Sequence, residues 1–471
     1  MVFSSAIFLF YFLPVFLLAY WLSPVRFKNA VALLGSLLFY LWGAPTFFLL
    51  LLTAVAFDFY LGNGMYHSTN KTAKRQLLGL GVVANVGMLA YFKYANFFVE
   101  NANALLAELG FEAVSWAAIA LPIGISFFTF QKLSYLIDLY YGKAKPLERL
   151  ADYALYILLF PQLIAGPIVR FKEIADQIRD RRAQLTMDHR LNGLFRFSMG
   201  LAKKVLIADT LGQQVDLAFS ESIATLGAFD AWIAILAYAM QIYYDFSGYS
   251  DMAIGIGLML GFRLPENFNF PYISRSITEF WRRWHITLSN WMRDYLYIPL
   301  GGNRRSTQRT YLNLVVVFLL SGLWHGAAWS FVLWGLFHGL FLILDRLFLS
   351  RVLAAVGTLP ALLFTFFVTL LGWVLFRAES LNLALEYYGV LFSGGKQALT
   401  YSIHFWAMLL LGSGIALLPI SFGVDKHLNN WLHKMENRTL SIKAILTIIL
   451  LVLCFSEVVV AGYNPFIYFR F

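Results

Sequence analysis

The chain has 471 residues, 60% of them hydrophobic and 13% charged, with a formal net charge of +10 at pH 7. A soluble domain is nearer half apolar and a quarter charged, so this composition, with a mean hydropathy of +0.67, excludes a soluble enzyme. The single cysteine, Cys454, excludes an intrachain disulfide and any cysteine-based metal site.

Apolar stretches long enough to cross a bilayer recur along the whole chain and predict an all-α, polytopic membrane bundle. In order they fall near 3–22, 29–43, 45–61, 77–99, 115–140, 151–169, 229–260, 311–325, 328–349, 357–376, 402–420 and 443–461. That gives about eleven or twelve crossings, some short enough to be re-entrant or steeply tilted. The stretch 191–218 is ambiguous because Lys203 and Lys204 interrupt it. The first apolar stretch has neither a basic lead-in nor a small-residue cleavage site and reads as an uncleaved span. No paired-halves repeat of the kind many transporters carry is visible.

Charge then orients the chain. Arg26 and Lys28 follow the first span, which places the N-terminus outside and the next loop in the cytoplasm. The arginine-dense loops 170–190 and 263–309 fall on the cytoplasmic side too. The positive-inside rule therefore accounts for the net charge without nucleic acid. Anionic lipid headgroups and a phosphorylated cytosolic substrate remain as partners.

Polar residues inside or beside spans are functional candidates by default, because burying them costs a few kcal/mol. Gln131, Lys132 and Asp138 lie beside one span, and pairing of Lys132 with Asp138, six residues on, is not guaranteed. The run Gln241, Tyr243, Tyr244, Asp245, Ser247, Gly248, Tyr249, Ser250, Asp251 sits in an otherwise apolar span. As a group it reads as a polar tunnel wall or helix break, and residue by residue as a packing network.

Segment 263–310 carries eight arginines, no lysine and three carboxylates. Over 279–296, Trp281, Trp284, His285, Leu288, Trp291, Met292 and Tyr295 recur at helical spacing and predict one amphipathic helix at the membrane surface. His285 falls on the apolar stripe, and Glu279 can pair with Arg283. The turn at Pro299, Gly301, Gly302, Asn303, Arg304 and Arg305 ends that helix and could cradle phosphate, although most such arginines are topological.

His325 stands in a long apolar run with Trp324, Gly326 and Trp329 around it. A neutral imidazole there can accept a hydroxyl proton, and Gly326 would let a substrate or backbone come close. The structural alternative is a buried ring hydrogen-bonded to a carbonyl or to Trp329. His285 has the same two readings, and His338 lies near a span end. No metal-ligand spacing such as His-Glu-x-x-His occurs.

Together these segments resemble the membrane-bound O-acyltransferase (MBOAT) family, and within it the branch that acetylates bacterial exopolysaccharides such as alginate. The resemblance runs through MVFSSAIFLF at 1–10, SFFTFQKLSYLID at 126–138, FPQLIAGP at 160–167, YDFSGYSD at 244–251, FWRRWH at 280–285, WHG at 324–326 and PFIYFRF at 465–471. It implies a single transmembrane domain over 1–471, pinched around a tunnel, with 263–310 as an arginine-rich re-entrant segment lining the donor path. It implies His325 as the catalytic histidine and His285 as the second family position. By the same resemblance the donor is acetyl-CoA, no cofactor is held tightly, and no metal is needed. Arg282, Arg283, Arg293, Arg304, Arg305 and Trp324 are the donor-binding candidates. Gln131, Tyr243, Asp245, Ser247, Tyr249, Asp251 and Trp329 are the tunnel-lining ones. Periplasmic acetyltransferases or acceptor proteins and an exopolysaccharide synthase are the implied partners, with alginate or cellulose among the polymers. Competing readings are D-alanyl transfer from a carrier protein, a proton-coupled transporter, and a non-catalytic assembly subunit.

Overall fold

The computed structural model describes residues 2–164, 166–220, 226–394, 399–421 and 440–460. The motif at 465–471 lies outside the described residues. Among the described residues every regular element is helical, as it must be where no water is present to satisfy an open backbone. The chain divides into two compact units, one of residues 7–186 and 260–264, the other of residues 2–6, 187–259 and 265 onward.

The first unit carries α1 (Leu13–Leu22), α2 (Lys28–Gly43), α3 (Phe48–His67), α4 (Lys71–Glu108), α5 (Ile125–Tyr140), α6 (Leu150–Leu158), α7 (Phe160–Leu163) and α8 (Phe171–Arg179). The side chain of Asn70 caps α4 by accepting from the backbone N–H of Thr72 at 2.8 Å. The span expected over 115–140 becomes helical only at Ile125. Asparagines on α4 explain the delay: Asn96 Oδ1 accepts from Ile119 N at 2.9 Å, and Asn103 Oδ1 accepts from Val114 N at 2.8 Å. Side chains thus satisfy donors that a helix would otherwise use. The span expected over 151–169 is also interrupted, at Leu159, and restarts with Pro161 in the first turn of α7, where its missing N–H costs nothing. Lys132 pairs with Asp58 of α3 at 3.2 Å, not with Asp138, and Asn85 donates to the same carboxylate at 2.9 Å. Gln131 is buried beside this pair on α5.

The second unit carries α9 (Met187–Ala202), α10 (Asp209–Ser220), α11 (Ala228–Met259), α12 (Ile277–Arg283), α13 (Ile286–Met292), α14 (Thr307–His325), α15 (Trp329–Leu344), α16 (Ser350–Val356), α17 (Thr358–Arg377), α18 (Leu381–Leu391), α19 (Ile403–Ser421) and α20 (Leu440–Val460). Lys203 and Lys204, which made 191–218 ambiguous, open a π-helical turn over Lys203–Ala208 between α9 and α10.

Two glycine pairs seven residues apart bring α9 and α11 together. A Cβ on Gly248 would stand 2.7 Å from the carbonyl oxygen of Gly200, and one on Gly255 would stand 2.6 Å from that of Gly193. Such small-residue seams let helix backbones approach in a bilayer, where lipid is as apolar as leucine and burial alone gives no attraction. Among the described residues, four helical stretches are long and apolar enough to cross a membrane: Pro45–His67, Lys71–Glu108, Thr358–Arg377 and Ile442–Val460; Ile7–Leu22 and Ile403–Leu417 are shorter apolar helices. The protein is an all-helical membrane protein.

Candidate active site

The second unit builds the site from three pieces of chain. The first is the α14–α15 hairpin. Gly322 and Gly335 face each other across it, and each leaves room for a carbonyl of the opposite helix, Phe331 and Phe318 respectively. This close crossing places His325, the last residue of α14, against Trp334 of α15 with ring centroids 5.0 Å apart. Trp324 lies 4.9 Å from the same imidazole and Phe376 of α17 lies 5.2 Å from it. His325 is 2% exposed.

Expectation and structure part at two neighbours of His325. Trp329 is 54% exposed in the first turn of α15, because the extended residues Gly326 and Ala328 turn the chain before that helix starts. The indole 5.0 Å from His325 on α15 is that of Trp334. Gly326 does make room, but for the Phe331 ring, which a Cβ would overlap.

The second piece is the segment from Asn267 to Tyr297. Its apolar stripe is real, with Trp281, Trp284, Leu288, Trp291 and Met292 all buried. It does not lie on one helix, however. Trp284 is extended and His285 is left-handed, at φ 43°, so the chain breaks between α12 and α13. Asn269 N donates to Arg283 O at 2.9 Å, and Ile286 N donates to Asn267 O at 2.9 Å. These bonds hold residues 267–269 against the break and replace the helical bonds lost there. Phe270 is also left-handed, at φ 45°. Each such non-glycine residue costs roughly 1–2 kcal/mol, a kind of strain that concentrates at functional sites.

The break turns His285 fully inward, at 0% exposed. Its ring meets the Phe246 ring edge-on at 4.7 Å and lies 6.5 Å from the His325 ring, centroid to centroid. Its Nδ1 is 3.0 Å from Asn267 Oδ1. Asn267 was not among the sequence candidates. No local pattern singles it out, because Asn267 is buried while Asn269, two residues on, is exposed.

His338 joins the same aromatic cluster by a different route. It accepts a long hydrogen bond from Trp281 Nε1 at 3.4 Å and packs 5.0 Å from Trp334. Gly372 leaves the space for its Nε2. These contacts fit a core histidine that sets the indoles around His325.

The third piece is the polar run of α11. Asp245 pairs with Lys204 at 3.0 Å, and Lys204 also pairs with Asp209. Asp251 pairs with Arg196 and with Lys203, both at 2.6 Å. Tyr243 packs on Trp284 and Tyr272, and Tyr249 stacks on Phe3 at 4.5 Å. Ser247 is buried on the same helix. The two carboxylates are thus neutralised by partners within the unit, which favours the packing reading residue by residue.

The arginines also divide. Arg283 pairs with Glu279 at 3.0 Å, as the spacing predicts, and Arg293 pairs with Asp294 at 2.8 Å. Arg282, Arg304 and Arg305 are exposed. Among the described residues, no group of three or more His, Cys, Asp or Glu is placed to hold a metal ion.

Fold and site define the class: an integral membrane protein in which two imidazoles are held side by side away from water, an arrangement suited to proton transfer. The sequence model of the membrane-bound O-acyltransferase family matches residues 68–375. The chain belongs to that family and is a membrane-bound acyltransferase. It is 49% identical over 403 residues to "Probable alginate O-acetylase AlgI" of Azotobacter vinelandii, covering 85% of this chain and 80% of that protein. It is 42% identical to the Pseudomonas putida protein of the same name over the full length of both. It is also 41% identical over 419 residues to "Peptidoglycan O-acetyltransferase" of Helicobacter pylori, covering 82% and 79% of the two chains.

Proposed function

We propose that this enzyme takes acetyl groups from cytoplasmic acetyl-CoA and passes them through the membrane for O-acetylation of an extracytoplasmic exopolysaccharide. The observation that carries the reading is the pair of buried imidazoles 6.5 Å apart. The alginate O-acetylase relatives supply the acyl group and the acceptor class.

In the proposed reaction His325 removes the proton from an acceptor hydroxyl as its oxygen attacks the thioester carbonyl. The new C–O ester bond forms, the C–S bond breaks, and the proton passes from His325 to the departing thiolate. Mutagenesis of comparable general bases changes rates by about 10²- to 10⁴-fold. The aromatic cage of Trp324, Trp334 and Phe376 excludes water, which would otherwise hydrolyse the thioester. Arg282, Arg304 and Arg305 are the preferred contacts for the phosphates of the donor, since Arg283 and Arg293 already hold carboxylates.

The chain acts as one functional domain in a bacterial inner membrane with its N-terminus in the periplasm, a direction consistent with Arg26 and Lys28 after the first apolar stretch. Periplasmic acceptor proteins and a polysaccharide synthase are the proposed partners, because the immediate product must reach a polymer made elsewhere.

The test uses purified protein in nanodiscs with radiolabelled acetyl-CoA, comparing wild type with His325→Ala and His285→Ala. The expected result is thioester turnover in wild type that is lost in His325→Ala while the variant remains folded. Turnover retained in His325→Ala would overturn the role of His325. Turnover only with a carrier-protein thioester would replace acetyl-CoA with a D-alanyl-type donor.

A further inference from the structure

Asn267 bonds to more than His285. Its Oδ1 accepts from Thr287 N at 3.3 Å and from Thr287 Oγ1 at 2.9 Å, while its Nδ2 donates to Ser250 Oγ at 3.2 Å. Asn267 is 1% exposed.

A backbone N–H can only donate, so the amide atom that meets Thr287 N has to be the oxygen. Turning the amide over would set an NH2 group against that N–H, donor against donor, in a buried place where an unsatisfied polar group forfeits its hydration without replacement. The orientation of the amide is therefore fixed independently of the histidine. The atom 3.0 Å from His285 Nδ1 is then an acceptor, and Nδ1 has to carry the hydrogen. In the neutral ring the lone pair is left on Nε2, since an imidazole has one donor and one acceptor nitrogen.

We infer that Asn267 is a positioning residue: it holds His285 as the Nδ1–H tautomer, so that His285 meets the reacting groups as a hydrogen-bond acceptor. The inference rests on the proposed function for what those reacting groups are. It narrows the role of His285. A neutral His285 with bare Nε2 cannot donate to the negative oxygen that develops on the thioester carbonyl; it can receive a hydrogen bond or a proton. The left-handed backbone at His285 and the Ile286 N to Asn267 O bond serve the same geometry, because they bring residue 285 back beside residue 267. Ser250 completes the support from α11, next to the ion-paired Asp251.

The tautomer can be read without turnover. The protein, with its eight histidines labelled with 15N, is reconstituted in lipid at neutral pH, and a His285→Gln spectrum is subtracted to isolate His285. The expected signal has Nδ1 protonated and Nε2 bare; Nε2 protonated in the neutral ring would overturn the inference.

Kinetics add a second readout. Asn267→Ala is expected to lower kcat by at least about 10-fold with KM for acetyl-CoA changed less than about 3-fold, the signature of a lost general acid–base arrangement. Asn267→Asp keeps an acceptor but adds negative charge, which stabilises the imidazolium of His285. Activity that needs neutral His285 should then fail at higher pH than in wild type, moving the acidic limb of the kcat profile upward. A wild-type profile in Asn267→Asp, or wild-type kcat in Asn267→Ala, would also overturn it. Should Asn267→Ala not fold, the spectrum of the wild-type protein still decides. A wild type that turns over no acyl donor would instead strike at the proposed function and leave the tautomer measurement standing.

Discussion

Two regions of the second unit bury polar groups in opposite ways. The α9–α11 seam is regular helix over long stretches, closed by facing glycines, and its buried carboxylates each have cationic partners. The region from Asn267 to His325 is irregular. It holds two left-handed non-glycine residues, breaks a helix in mid-stripe, and surrounds its histidines with aromatic rings. Charge compensation rigidifies the first region. The second holds two imidazoles, groups able to exchange protons, with ring centroids 6.5 Å apart. The proposed chemistry falls in the region of strain and aromatic enclosure, and the ion pairs fall in the helix seam.

The contrast can be broken most sharply at His325. His325→Ala should reduce acyl transfer per folded molecule by about 10²-fold or more, with turnover and thermal unfolding measured on the same preparation so that the cost of the cavity left among the three rings is separated from the loss of chemistry. On the scaffold side, Asp245→Ala takes one of two carboxylates from buried Lys204 and leaves Asp209. A buried charge stripped of all compensation costs about 3–5 kcal/mol, so with Asp209 retained a smaller but measurable fall in unfolding temperature is expected, with activity per folded molecule near wild type. Activity lost at unchanged stability would move Asp245 from scaffold to tunnel.

Gly248→Val tests the seam itself. Its side chain would meet the Gly200 carbonyl, and overpacking of this kind costs about 1–3 kcal/mol, read as lower melting temperature and lower membrane yield. Trp281→Phe removes the long hydrogen bond to His338 and shrinks a buried ring that packs on Phe318 and Trp334, and should cost about 1–2 kcal/mol. If it abolished turnover instead, His338 would belong with the reacting pair. Smallest of all is Glu279→Gln, which releases a partly exposed pair with Arg283 and should shift stability by less than about 1 kcal/mol.

Much of this was legible in the chain because it depends on local pattern. The helical class and most helix positions follow from apolar runs, although among the described residues only four helical stretches are long and apolar enough to cross a membrane, and the candidacy of His325 follows from an ionisable ring within such a run. The misreadings share a cause. A single helix over 279–296 matches the periodicity of its tryptophans, yet backbone bonds from residues 267 and 269 outbid the helix at residue 285. The late start of α5 depends on two asparagines of α4, and the partner of Lys132 comes from α3, 74 positions away in sequence. Trp329 and Trp334 could not be told apart by spacing, because the extended turn after His325 decides which indole faces it.

The sequence by itself determined that this protein is membrane-embedded, helical and equipped with histidines in apolar surroundings, since each property follows from hydrophobicity and charge summed over short windows. Only the tertiary structure decided which groups stand beside those histidines. Hydrogen bonds and ring contacts depend on where distant segments meet, and Asn267 acquires its meaning only when the strained turn at His285 folds back against it.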